Sequence, residues 1–225
     1  MNARGAARRR PLAVVAAGLV TLGAAGALAD MAVAGCGGVQ VRRATTPLRS
    51  GPPPLVVGDS VLLGAMPQVA RVGLQIDAHG CRGWGEGLGV LRARRRASTL
   101  PKAVVMMLGT NYGITRASIR AAMAIVGRHR ALIVLTPREV FGEEGADAAA
   151  VRAAGRAFPE RLLVLDWAKH TRSRGSWFQP DGIHLTAQGA VGLARFLRAV
   201  TPFAGGIPAF ERGARQEGRV TTPLS

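Results

Sequence analysis

Five short apolar runs constrain this chain more than any other feature. They are residues 55–57, 103–108, 131–135 and 162–165, with residues 74–78, interrupted by Gln75 and Asp77, as the weaker fifth. Each is bounded by glycine, proline or polar residues. The clearest, Ala103-Val104-Val105-Met106-Met107-Leu108, has Pro101 before it and Gly109 after it. Strands that read as continuous apolar runs are those buried on both faces. Between the runs, residues 61–70, 87–96, 118–127 and 147–158 can be helical, and residues 186–200 form a last amphipathic helix with Thr186 as its N-cap. Pro67 is expected to disturb the first of these helices. Strands alternating with helices imply a parallel sheet with right-handed crossovers. The expectation is a three-layer α/β/α domain with a five-stranded parallel sheet over residues 54–203.

Composition agrees with one such domain. The chain has 225 residues, of which 48% are hydrophobic but only 4% aromatic, so the core must be built from Ala, Val and Leu. Cys36 and Cys81 are too few for a disulfide scaffold or a cysteine-rich zinc site, and no metal or cofactor is expected. The net charge of +17 comes from 30 basic and 13 acidic residues. Such a balance invites anionic partners. It is also what coding bias produces, since only Lys102 and Lys169 are lysines and the other basic residues are Arg. Arg92, Arg94, Arg95 and Arg96 read as a solvated helix face, and without interleaved aromatics they give no case for nucleic acid.

The N-terminus reads as an export segment. Arg4, Arg8, Arg9 and Arg10 precede residues 11–29, which carry no charge and approach the roughly 20 apolar residues of a spanning helix. Residues 1–30 are therefore a signal peptide or a membrane anchor, and the remainder is expected outside the cytoplasm. Ala27-Leu28-Ala29 offers a cleavage site. Val33-Ala34-Gly35-Cys36 resembles the lipobox of bacterial lipoproteins, although Asp30 interrupts the apolar approach. Cleavage, retention and lipidation stay open, as does oxidative pairing of Cys36 with Cys81. Residues 31–53 read as a flexible linker ending in Gly51-Pro52-Pro53, and residues 204–225 as a tail.

In open parallel sheets, ligands bind beyond the carboxyl ends of the strands. Gly58-Asp59-Ser60 follows the first run, Gly109-Thr110-Asn111 follows the third, and Asp181-Gly182-Ile183-His184 follows the last. These are the parts of serine acyl-transfer chemistry. Ser60 needs a base, and a histidine titrates in the right range for that work. Asp181, three residues before His184, can reach its ring within one turn and fix the tautomer. Asn111 and backbone N–H groups near Ser60 and in residues 79–83 can stabilise an oxyanion.

Together and in this order, the three motifs resemble blocks of the SGNH (GDSL-type) hydrolase superfamily, over about residues 55–200. The resemblance implies a flavodoxin-like sheet. It also implies Ser60 as nucleophile, Asp181 and His184 as its partners, and Ser60 and Asn111 in the oxyanion hole. The family's second block supplies a glycine N–H. Here the stretch Asp77-Ala78-His79-Gly80-Cys81-Arg82-Gly83 resembles the SGNH domains of bacterial cell-envelope O-acetyltransferases, with Cys81 at the glycine position and Gly80 as the alternative donor. Trp177-Phe178 and Asp166-Trp167 resemble the same branch. Trp177 and Arg82 are thereby candidates for substrate contact, Trp177 by stacking on a sugar ring or else by packing its own loop. The implied protein is an extracytoplasmic serine esterase that removes acetyl or other short acyl groups from an envelope glycan or a small ester. The alternatives are an O-acetyltransferase served by a membrane partner that delivers the acyl group, or a non-catalytic envelope-binding module.

Overall fold

The computed structural model describes residues 36–139, 142 and 144–206. Six strands form one sheet: β1 (Gln40–Arg42), β2 (Leu55–Gly58), β3 (Gln75–Ala78), β4 (Ala103–Met107), β5 (Ala131–Leu135) and β6 (Leu163–Leu165). Their spatial order is β1-β3-β2-β4-β5-β6. From β2 to β6 all pairings are parallel, and the chain reverses its direction of travel across the sheet at β2. This reversal opens the crevice where doubly wound sheets hold their ligands.

The sheet is buried on both faces because alternate residues of each strand feed different cores. Val56, Ile76, Val105 and Ile133 face one core, covered by α2 (Met66–Arg71) and α7 (Ala187–Leu197). Leu55, Val57, Val104, Met106 and Leu132 face the other, under α3 (Trp84–Arg96), α4 (Arg116–Val126) and α5 (Ala146–Ala157). Thr186 caps α7 as expected, its Oγ1 accepting from Gly189 N–H at 3.2 Å. Two further short α-helices among the described residues are α1 (Ser60–Leu63), which begins on the expected nucleophile, and α6 (Trp167–His170).

Two expectations change. The sheet has a sixth strand, because β1 pairs antiparallel with β3 in the segment read as a flexible linker. That segment is tied down elsewhere too. Thr45 N–H donates to Ala70 O at 3.0 Å, and Ser50 Oγ donates to Thr201 O at 2.9 Å. The first helix is two helices, broken at Gly64-Ala65 rather than at the proline. Pro67 lies in the first turn of α2, where a missing N–H costs nothing. The expected signal or anchor segment, residues 1–30, lies outside the described residues, as does the tail beyond residue 206. Among the described residues, no helix is long and apolar enough to cross a membrane.

Candidate active site

The site begins where β2 ends. Gly58 is required there, since a Cβ on it would lie 2.6 Å from the Leu62 side chain. Asp59 then caps α1, its Oδ1 accepting from Val61 N–H at 3.1 Å, which places Ser60 at the start of that helix. Asp59 is only 1% exposed, and burial raises its pKa despite the hydrogen bonds it accepts. Its Oδ2 accepts from Thr110 Oγ1 at 2.5 Å, so the loop after β4 is fastened to the loop after β2. Gly109, at φ +132°, makes that second loop possible; a side chain there would be strained and would meet Ile114 and Pro137.

The third loop delivers the histidine. His184 Nε2 lies 3.0 Å from Ser60 Oγ, and His184 Nδ1 lies 2.6 Å from Asp181 Oδ2. The arrangement assigns Nδ1–H as donor to the carboxylate and Nε2 as acceptor of the serine proton. Asp181 Oδ1 also accepts from the backbone N–H groups of Ile183 and His184, both at 2.9 Å. Burial pushes the Asp181 pKa up, but the hydrogen bonds from His184 and Ile183 outweigh it and hold the carboxyl below its ordinary value. Sequence thus identified three residues that the structure brings into one hydrogen-bonded row. A small cavity nearby is lined by Asp59, Val61, Thr136, Arg138, Trp167 and Ile183, among others.

The oxyanion side differs from expectation. Ser60 N–H donates to Gly80 O at 3.0 Å, and Asn111 Nδ2 donates to the same oxygen at 3.3 Å. The two expected donors converge as they should, but on a carbonyl of the chain itself. Gly80 is not a donor here, because its N–H is spent on Cys36 O at 3.0 Å. Cys81 N–H makes no hydrogen bond to any described residue. A trans peptide holds its C=O and N–H on opposite sides, so this N–H points away from the site.

Cys81 is bonded to Cys36 in a disulfide. This settles the fate of the Cys36 thiol, which is not free to carry a lipid. His79 adds to the tether, its Nε2 lying 2.9 Å from Gly37 O.

The two residues expected to touch substrate are engaged elsewhere. Arg82 is 2% exposed. It donates to Asp77 Oδ1 at 2.8 Å and to the carbonyls of Asp77 and Gly58 at 2.6 and 3.2 Å. A charge so buried must be paired, and this one braces β3 against the end of β2 instead of facing a ligand. Trp177 stacks with Trp167 at 6.0 Å, and Arg174 lies 4.9 Å over its ring. A Cβ on Gly192 would come within 2.4 Å of the indole, so the ring is seated on α7 and packs its own loop.

One residue was overlooked. Arg138, just beyond β5, is buried under Phe178, its guanidinium 4.1 Å from that ring. It donates to Gly182 O at 3.1 Å and to Thr171 O at 3.0 Å, fixing the Asp181–His184 turn from below. Its position at a strand's carboxyl end was the available signal.

The comparisons with known proteins agree on the fold. The chain has the fold of the SGNH (GDSL-type) hydrolases: a GDSL-like lipase from Bacteroides thetaiotaomicron superposes with a TM-score of 0.50 at 15% identity, covering 69% of this chain and 90% of the other. More particularly, the C-terminal catalytic domain of the peptidoglycan O-acetyltransferase OatA from Streptococcus pneumoniae superposes with a TM-score of 0.54 at 19% identity, covering 68% of this chain and 92% of that domain. In sequence, the chain is 23% identical over 148 residues to the peptidoglycan O-acetyltransferase OatA of Listeria monocytogenes. The match takes in 65% of this chain but only 23% of that longer protein. No family model matches the chain.

Proposed function

We propose that this chain is an extracytoplasmic serine esterase that works through an acyl-Ser60 intermediate and removes acetyl or other short acyl groups from an envelope glycan. The observation that carries this reading is the row Ser60–His184–Asp181, with contacts of 3.0 and 2.6 Å. As the ester binds, Ser60 Oγ attacks its carbonyl carbon and His184 Nε2 takes the serine proton. Ionised Asp181 holds the imidazole in the reactive tautomer and stabilises the imidazolium. His184 then protonates the departing alcohol, leaving acyl-Ser60. Water, activated by the same imidazole, releases the acid and restores the serine.

The disulfide between Cys36 and Cys81 favours an oxidising compartment. A second reading, in which a sugar hydroxyl replaces water as acceptor, is favoured by the likeness to the two OatA proteins. Such a transferase draws its acyl group from a membrane partner in trans. Both readings share every catalytic residue.

The test is turnover of p-nitrophenyl acetate by the full chain, with and without a glycan acceptor, alongside labelling by a serine-directed phosphonate. An esterase releases acetate at a rate the acceptor does not change. A transferase moves the acetyl group onto the glycan. A protein that neither turns over ester nor labels at Ser60 is a binding module that has kept the fold.

A further inference from the structure

The block-two turn presents a carbonyl where an oxyanion hole needs a donor. Residues 79–82 form a β-turn closed by Arg82 N–H on His79 O at 3.2 Å, with Gly80 and Cys81 at its centre. Neither central residue has positive φ. The peptide between them carries both groups at issue: its oxygen accepts from Ser60 N–H and Asn111 Nδ2, and its N–H belongs to Cys81.

We propose that this single peptide is the gate of the oxyanion hole. Rotating it by about half a turn withdraws Gly80 O from Ser60 and Asn111 and swings Cys81 N–H into its place, so that three donors converge on the ester oxygen. The inference rests on the esterase reading and deepens it. The movement is local because, apart from the two contacts of Gly80 O itself, the anchors of the turn lie outside the rotating unit. Gly80 N–H, held by Cys36 O, belongs to the preceding peptide. The disulfide hangs from the Cys81 Cα, which a peptide rotation leaves in place. Arg82 fixes the far end through Asp77.

The same geometry says what the rotation costs and what drives it. Rotating the central peptide of such a turn gives its type II form, whose third residue needs φ > 0 and for that reason is usually glycine. Here that residue is Cys81, whose Cβ disfavours the conformation. In the resting form Ser60 N–H and Asn111 Nδ2 are both satisfied by Gly80 O. A charged oxyanion accepts hydrogen bonds about twice as strong as a neutral carbonyl does. The gate is therefore opened by charge that develops in the transition state more than by the ground-state ester.

Two measurements test this. First, kcat/KM for p-nitrophenyl acetate is compared between the double variants Cys36→Ser/Cys81→Gly and Cys36→Ser/Cys81→Ala. Both lack the disulfide, and they differ in whether residue 81 tolerates positive φ. The glycine variant should be faster by about tenfold; equal rates, or a faster alanine variant, overturn the gate. Second, a crystal structure of the full wild-type chain after phenylmethylsulfonyl fluoride treatment should show Gly80 O turned away and Cys81 N–H within hydrogen-bond distance of a sulfonyl oxygen. This arm stands even if the double variants do not fold. A Ser60 adduct with Gly80 O still on Ser60 N–H rejects the gate and leaves the esterase reading intact. Absence of both label and ester turnover rejects the esterase reading, and the gate with it.

Discussion

The two halves of this candidate active site are built by different means. On the base side, Ser60, His184 and Asp181 are side chains set by short local motifs, and their row is already complete. On the oxyanion side, the groups at issue are mostly backbone. Their placement depends on the remote segment at Cys36, which grips the Gly80–Cys81 turn through a disulfide and a hydrogen bond. Side-chain chemistry can be specified by a few residues at strand ends. Backbone orientation is set by whatever holds the loop, and here the loop is held in the form that fills the hole.

The sharpest way to break this contrast is on the complete side. Ser60→Ala and His184→Ala should each lower kcat by about 10⁴-fold or more while the fold persists, because the pair acts as a unit. Circular dichroism and ester turnover check this together, and appreciable turnover by Ser60→Ala sinks the serine mechanism. The oxyanion side should be graded instead. Asn111→Ala removes a donor that counts only when charge develops, so kcat should fall by roughly 10²–10³-fold with little change in KM.

The tether should show in stability. The disulfide closes a separation of 45 residues. Chain-entropy arguments put its contribution at about 4 kcal/mol. Reduction, or Cys36→Ser, should lower the urea midpoint accordingly, and an unchanged midpoint means that β1 and the turn hold without it. The smallest effect concerns Asp59, which lies under both halves. Its folded pKa is raised by burial above the unfolded value of 3.8. The native state therefore keeps this proton longer, and the stability it contributes is full below pH 3.8 and lost as pH rises through the folded pKa. Asp59→Asn cannot ionise. Its melting temperature relative to wild type should rise between pH 4 and pH 7, and a pH-independent difference refutes the assignment.

These contrasts also explain what the sequence made legible. Ser60 and Asn111 stand just past strands that apolar runs announce, and Asp181 and His184 lie on the longer segment after β6, so the fold and the placement of these four candidates could be read together. Strand β1 could not, because Gln40-Val41-Arg42 is short and exposed on a sheet edge and carries no apolar run. Arg82 was read as a ligand contact because an arginine's burial depends on its partner, here Asp77, and not on its own identity. Arg138 was missed because the Gly182 carbonyl it holds is 44 residues away. The direction of the Gly80 carbonyl is a torsion about two bonds, for which no residue type stands as a sign.

The contact between Ser60 and His184 joins residues 124 positions apart. Bringing such distant segments together incurs a loop-closure entropy that local helices and turns escape, which is why non-local contacts slow folding. Catalytic competence is thus a property of the finished chain. On the proposed mechanism it requires β2, early in the domain's sequence but central in its sheet, to be brought beside a loop that follows the last strand. During refolding from denaturant, helical signal from α3, α4 and α5 can return while the nucleophile still has no base. Recovered turnover therefore reports completion of the fold more stringently than recovered secondary structure does.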